Sequence, residues 1–193
     1  PVAALDHDTQ AKEKLVAGGI LEVATGRSFL FFSPSNKTSD FMVDGLQEWW
    51  RTRPPDSAPC RRLVINMDNG PECNARRSQF LQRLVAFADA TQLTLRLVYY
   101  PPYHSKYNAI EHYWGGLERS WNGYLLDSTA GVLNRAANFV WRGVRTTVTL
   151  FDKVYAKGIR LGAKERTKLE GRLKRLEWLP WWDVTITPLA VCQ

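Results

Sequence analysis

Cysteine is scarce. The three in 193 residues, Cys60, Cys73 and Cys192, are too few and too scattered for a disulfide framework or a zinc motif. A reducing compartment is the expected setting, and the cytoplasm the expected location. Long apolar runs are missing as well. The longest apolar stretches, such as Ser28 to Phe32 and Leu93 to Tyr100, stop far short of the roughly 18 to 20 residues a membrane span needs, so no membrane partner is expected. The opening residues lack a signal-peptide pattern, and Pro1 stands where methionine would begin a coded chain, so a fragment or processed product is expected. Glycine (13) and proline (10) are too sparse for a collagen repeat or a disordered tail, while 45% hydrophobic residues suffice for a core. A chain of this length buries roughly 70% of its unfolded surface without staples or structural metals. One globular domain with an appendage fits these bounds.

Acids are outnumbered, 19 against 26 Lys plus Arg, and the net charge of +7 is unevenly placed. Between Ala130 and Leu176 stand twelve Lys and Arg against Asp152, Glu165 and Glu170, a local +9 that leaves −2 for the rest. Leu169, Leu173 and Leu176 recur at helical spacing within Lys164–Leu176, with cations on the other faces. The spacing predicts a basic helix inside a helical C-terminal region, 127–193. Its cations Lys164, Arg166, Lys168, Arg172, Lys174 and Arg175 suit a polyanion, nucleic acid first, or else form a solvated face.

Before that region, 1–126 reads as alternating elements. Gly19 to Phe32 forms a hairpin, with Thr25-Gly26 supplying its turn. Thr38 or Ser39 can cap a helix whose apolar face is Met42, Leu46, Trp49 and Trp50. Arg62–Met67 reads as a buried parallel strand, and Phe80, Leu81, Leu84, Val85 and Ala88 as the inner face of the next helix. Leu93–Tyr100 is a strand stopped by Pro101-Pro102. Asn108 can cap a helix with Ile110, Tyr113, Trp114, Leu117 and Trp121 on its apolar stripe. Hairpin, helix, strand, helix, strand, helix argues for an α/β fold, a mixed sheet with helices packed on it.

Asp68 ends one strand, and Glu111 lies in the first turn of the helix after the next. Ligands of open α/β sheets gather at the C-terminal strand ends, and two hard oxygen donors there suit Mg²⁺ and phosphoryl transfer. A second reading stays open: Asp68-Asn69-Gly70 as a plain turn, and Asn108-x-x-Glu111 as a capping box.

The stretch from Ile65 through Asp68-Asn69-Gly70-Pro71 to Glu72, followed by Tyr99-Tyr100-Pro101-Pro102-Tyr103-His104-Ser105-Lys106-Tyr107-Asn108-Ala109-Ile110-Glu111-His112-Tyr113-Trp114-Gly115, closely resembles bacterial insertion-sequence transposases of the DDE type, in particular the ISAzo-type family. The resemblance runs the length of the chain, through Ala4 to Asp8, Thr38 to Phe41 and Trp121-Asn122-Gly123. It implies an RNase H-like fold, DNA as partner, and cutting and joining of DNA with two Mg²⁺ or Mn²⁺ ions in the complete enzyme. It makes Asp68 the second acidic residue of the catalytic triad and Glu111 the third, both as metal ligands. The first aspartate, with its strand, is expected upstream of Pro1, since the resemblance places Asp6 and Asp8 in the loop after that strand. Ala109 departs from the family's usual proline, which should loosen the helix start that aims Glu111. His104 and Lys106 are candidate DNA contacts in the loop before Glu111, or ordinary surface. The resemblance also implies a nucleoid-associated protein and leaves a homo-oligomer on DNA open. A catalytically inactive DNA-binding remnant is the competing reading.

Overall fold

The structure, a computed structural model, describes residues 14–55, 57–101 and 107–190. It is an α/β chain of nine strands and five helices among these residues, folded as two compact units. The first comprises 1–35 and 113–154, the second 36–112 and 155–193.

The first unit holds β1 (Val16–Leu21) and β2 (Ser28–Ser33), antiparallel, with Leu21 opposite Ser28. The connection turns at Gly26, whose φ of 73° is the left-handed conformation the sequence predicts there. Glu22 ties it off, accepting from Thr25 Oγ1 at 2.8 Å and from Arg27 Nε at 3.2 Å. β2 is buried along its whole length, because β7 (Thr147–Leu150) pairs parallel on its other edge. Gly18 and Gly19 serve close packing. A Cβ on Gly19 would stand 2.7 Å from the Trp114 ring, and one on Gly18 2.3 Å from the Phe31 ring. Here α3 (Ala109–Trp121), which starts in the other unit, buries Tyr113, and its hydroxyl meets Thr146 Oγ1 at 2.8 Å. α4 (Thr129–Ala137), capped by the Ser128 side chain, and the short pair β5 (Val140–Trp141) and β6 (Val144–Arg145) complete this unit.

The second unit is built on a four-stranded mixed sheet. β3 (Arg62–Met67) lies parallel to β4 (Thr94–Tyr99), which pairs antiparallel with β9 (Asp183–Ile186), and β8 (Leu173–Arg175) follows at the far edge. α1 (Ser39–Arg51) begins at Thr38, whose hydroxyl accepts from the Phe41 amide, and packs against α2 (Ser78–Thr91). The two helices are bridged by Arg83, at 2.5 Å from Asp44 and 3.4 Å from Asp40. Leu95, Leu97, Tyr99, Val184 and Ile186 of the sheet and Leu81, Leu84 and Phe87 of α2 are all buried.

Three expectations need correction. β3 is not a buried strand: Arg62, Val64 and Asn66 are exposed and the alternate residues only half-buried, because among the described residues β3 bonds to β4 alone. The strands fall into three sheets among the described residues, not one. The region 127–193 is not helical throughout, for it supplies β5 to β9. Its basic helix, α5 (Ala163–Glu170), ends before Gly171, and Leu173–Arg175 is the strand β8. The alternation Leu173-Lys174-Arg175 competes with the helical spacing, and pairing with β9, Leu173 opposite Ile186, satisfies its backbone. No helix among the described residues is long and apolar enough to cross a membrane.

Candidate functional site

β3 and β4 run in register, with Met67 opposite Tyr99, and the Tyr100 amide donates to the Met67 carbonyl at 2.9 Å. The two strands therefore end level. The chain leaving β3 carries Asp68, and the chain leaving β4 leads to α3, whose third residue is Glu111. Asp68 thus stands directly after the C-terminal end of a parallel strand, where open α/β sheets collect their ligands. Asp68 and Glu111 are both exposed.

The loop after β3 is ordered by its own turns. The Gly70 carbonyl accepts from the amides of Cys73 and Asn74, at 3.2 and 3.0 Å, and from the Asn74 side chain at 3.1 Å. This brings Cys73 back beneath Asp68, with Sγ 3.7 Å from Asp68 Oδ1 and 3.8 Å from its carbonyl oxygen. Burial, and after it the charge of Asp68, pushes the Cys73 thiol up to about 12. At neutral pH it is a protonated donor beside the carboxylate. The Cys73 carbonyl in turn accepts from the Tyr99 hydroxyl at 2.9 Å. Neither residue stood out in the sequence, although the alternation Leu95, Leu97, Tyr99 sets Tyr99 on the buried face of β4 and Cys73 follows Asp68 by one loop.

Glu111 is held from its own helix start. Asn108, which is buried, donates its side-chain amide to Glu111 Oε1 at 3.2 Å, and the Glu111 amide donates to the Asn108 carbonyl. The pair is joined, as the capping spacing predicts, but through the two side chains. Carboxylate oxygens are the hard donors that Mg²⁺ and Mn²⁺ accept. Among the described residues, no group of three metal-ligating side chains occurs.

The six basic candidates divide. Lys164, Arg166 and Lys168 on α5 and Lys174 on β8 are exposed. Arg172 instead clasps Asp89 with two bonds, at 3.0 and 2.7 Å, and holds the Asp89 carboxyl below the usual carboxylate range. Arg175 pairs with Glu170 at 3.0 and 2.9 Å and also donates to the carbonyls of Ala75 and Pro180. His104 and Lys106 lie outside the described residues, as do Asp6 and Asp8.

The family described as the Rhodopirellula transposase DDE domain matches residues 1–188 of the chain. No curated protein and no solved structure matches it.

Proposed function

The chain belongs to this family of insertion-sequence DDE transposases, and from that membership we propose that it is the catalytic core of the enzyme, cutting DNA strands and joining them to a target. The single observation that supports the reading within the fold is that β3 and β4 end level, Asp68 following β3 directly and Glu111 standing in the first turn of α3, the next element after β4. Their oxygens are the ligands for the divalent ions. When bound, Mg²⁺ or Mn²⁺, two in the complete enzyme, supplies charge neutralisation at the scissile phosphate and a more acidic water or 3′-hydroxyl for in-line attack.

The chain's own groups do the positioning. The Cys73 thiol and the Asn108 amide each engage one carboxylate oxygen of the pair, which limits the rotamers available before metal arrives. Four exposed cations, Lys164, Arg166, Lys168 and Lys174, are free to meet the phosphate backbone and hold the duplex by charge. The order β1–β2 hairpin, α1, β3, α2, β4, α3 supports an RNase H-like domain. In that arrangement a further strand bonds along the open edge of β3 and brings a third carboxylate beside Asp68. That edge has no partner strand among the described residues.

The test is Mg²⁺-dependent nicking and strand transfer on element-end DNA by the complete protein. Asp68→Asn or Glu111→Gln should abolish both while leaving DNA binding near the wild-type level. An inactive DNA-binding remnant would show the binding alone, with no nicking in the unmutated protein.

A further inference from the structure

Asn69, the residue after Asp68, lines a cavity of about 310 Å³ together with Asn74, Ala75, Arg76, Trp181 and Trp182. It is at the small end of the roughly 300 to 1,000 Å³ typical of small-ligand sites. Its walls come from the loop after β3 and from the β8–β9 connection, which is folded by bonds from the Trp182 and Asp183 amides to the Leu179 carbonyl. The Trp182 carbonyl accepts from the Tyr99 amide at 2.9 Å, which fixes this connection at the end of β4. Trp181 is 37% exposed.

Two guanidinium groups stand over the Trp181 ring, Arg175 at 4.6 Å and Arg76 at 4.8 Å from its centroid, and they differ in kind. Arg175 is anchored by Glu170 and by the Ala75 and Pro180 carbonyls. Arg76 is exposed, and among the described residues its guanidinium has no hydrogen bond or ion pair. Asn69, next to Asp68, likewise presents an exposed carboxamide without a hydrogen-bonding partner among the described residues. An aromatic face, an uncompensated planar cation and a free carboxamide around one small cavity match the three parts of a nucleotide: base plane, phosphate and base edge.

We propose that this cavity receives one unpaired nucleotide of the DNA strand being processed at Asp68. The base stacks on Trp181 in the place that Arg76 now covers, the released Arg76 guanidinium pairs with the adjoining phosphate, and Asn69 meets the base edge. The inference rests on the DNA-cutting reading for the identity of the strand, and on the cavity alone for the nucleotide.

The experiment titrates the full chain, in Ca²⁺, into a duplex ending in a single unpaired 2-aminopurine nucleotide, with a blunt duplex as reference. Stacking on Trp181 should quench the 2-aminopurine, and affinity for the overhang should exceed that for the blunt end by roughly tenfold, the scale of one stacked base. Trp181→Ala should remove both effects, Trp181→Phe should retain part of them, and Arg76→Ala should lower overhang affinity more than blunt-end affinity. Thermal unfolding reports whether each variant is folded. Unchanged quenching in folded Trp181→Ala or in Trp181→Phe and Arg76→Ala together, or equal loss of overhang and blunt binding on Arg76→Ala, overturns the proposal. Nicking by the complete protein is followed in parallel. Quenching that depends on Trp181 without any nicking supports the cavity while removing the DNA-cutting reading, and nicking with quenching indifferent to Trp181 overturns the cavity alone.

Discussion

Tyr99 donates its hydroxyl proton to the backbone carbonyl of Cys73 across 2.9 Å, tying the last residue of β4 to the loop that carries Asp68. Both partners are buried, Tyr99 at 3% exposure and Cys73 at 6%, so the carbonyl has no ready replacement donor in water.

Tyr99→Phe therefore leaves a buried acceptor unpaired and should cost about 1 to 3 kcal/mol in urea unfolding. Because the same bond steadies the loop under Asp68, the metal concentration needed for half-maximal nicking should rise severalfold, while DNA affinity stays constant. A variant as stable as wild type, with an unchanged metal requirement, would show that the bond does not hold the loop.

The pairing of Arg172 with Asp89 separates two kinds of cation in the basic region. Arg172→Ala should lower stability by about 1 to 2 kcal/mol, as the loss of a charge-assisted pair does, whereas Lys164→Ala should leave it within about 0.5 kcal/mol. The sign with pH follows from the lowered Asp89 carboxyl, caused first by the Arg172 hydrogen bonds. Its stabilisation is fully present above the ordinary value of 3.8 and is lost as pH falls through the depressed folded value. The melting-temperature gap between wild type and Asp89→Asn should thus be full at pH 6 and close on acidification below the ordinary value. A gap that widens there would contradict the assignment.

The exposed cations carry a prediction of their own. Changing Lys164, Arg166, Lys168 and Lys174 to alanine should flatten the dependence of DNA affinity on salt, by about 0.9 in log–log slope for each phosphate that is no longer neutralised. Changing Arg172 and Arg175 should alter stability far more than that slope. An unchanged slope in a fluorescence titration of the four-residue variant would make α5 and β8 a solvated surface.

Local chemistry makes much of the fold legible in the sequence. Gly26 marks the hairpin turn, Thr38 caps α1, and Pro101 follows the end of β4, because each acts within a few residues. Register-dependent features are harder to read. Leu173 to Leu176 fits a helix stripe and a short strand equally well, and pairing with β9, nine to thirteen residues further on, decides between them. The engagement of Arg172 and Arg175 depends on that decision, so six apparent DNA cations become four exposed ones. At the site, the two carboxylates can be picked out because a strand end and a helix start are visible in sequence. Tyr99 and Cys73 cannot, since their bond spans 26 residues and joins a core side chain to a loop carbonyl.

The claim that Asp68 and Glu111 belong to one divalent-metal site is tested by replacing Mg²⁺ with Fe²⁺ and mapping where ascorbate and peroxide cut the polypeptide. Hydroxyl radicals made at the bound ion cleave the backbone closest to it. Two families of fragments are expected, one ending near Asp68 and one near Glu111, both suppressed by excess Mg²⁺ and both lost in Asp68→Asn. Cuts near one carboxylate only, or near neither, would contradict a common metal site and with it the catalytic assignment.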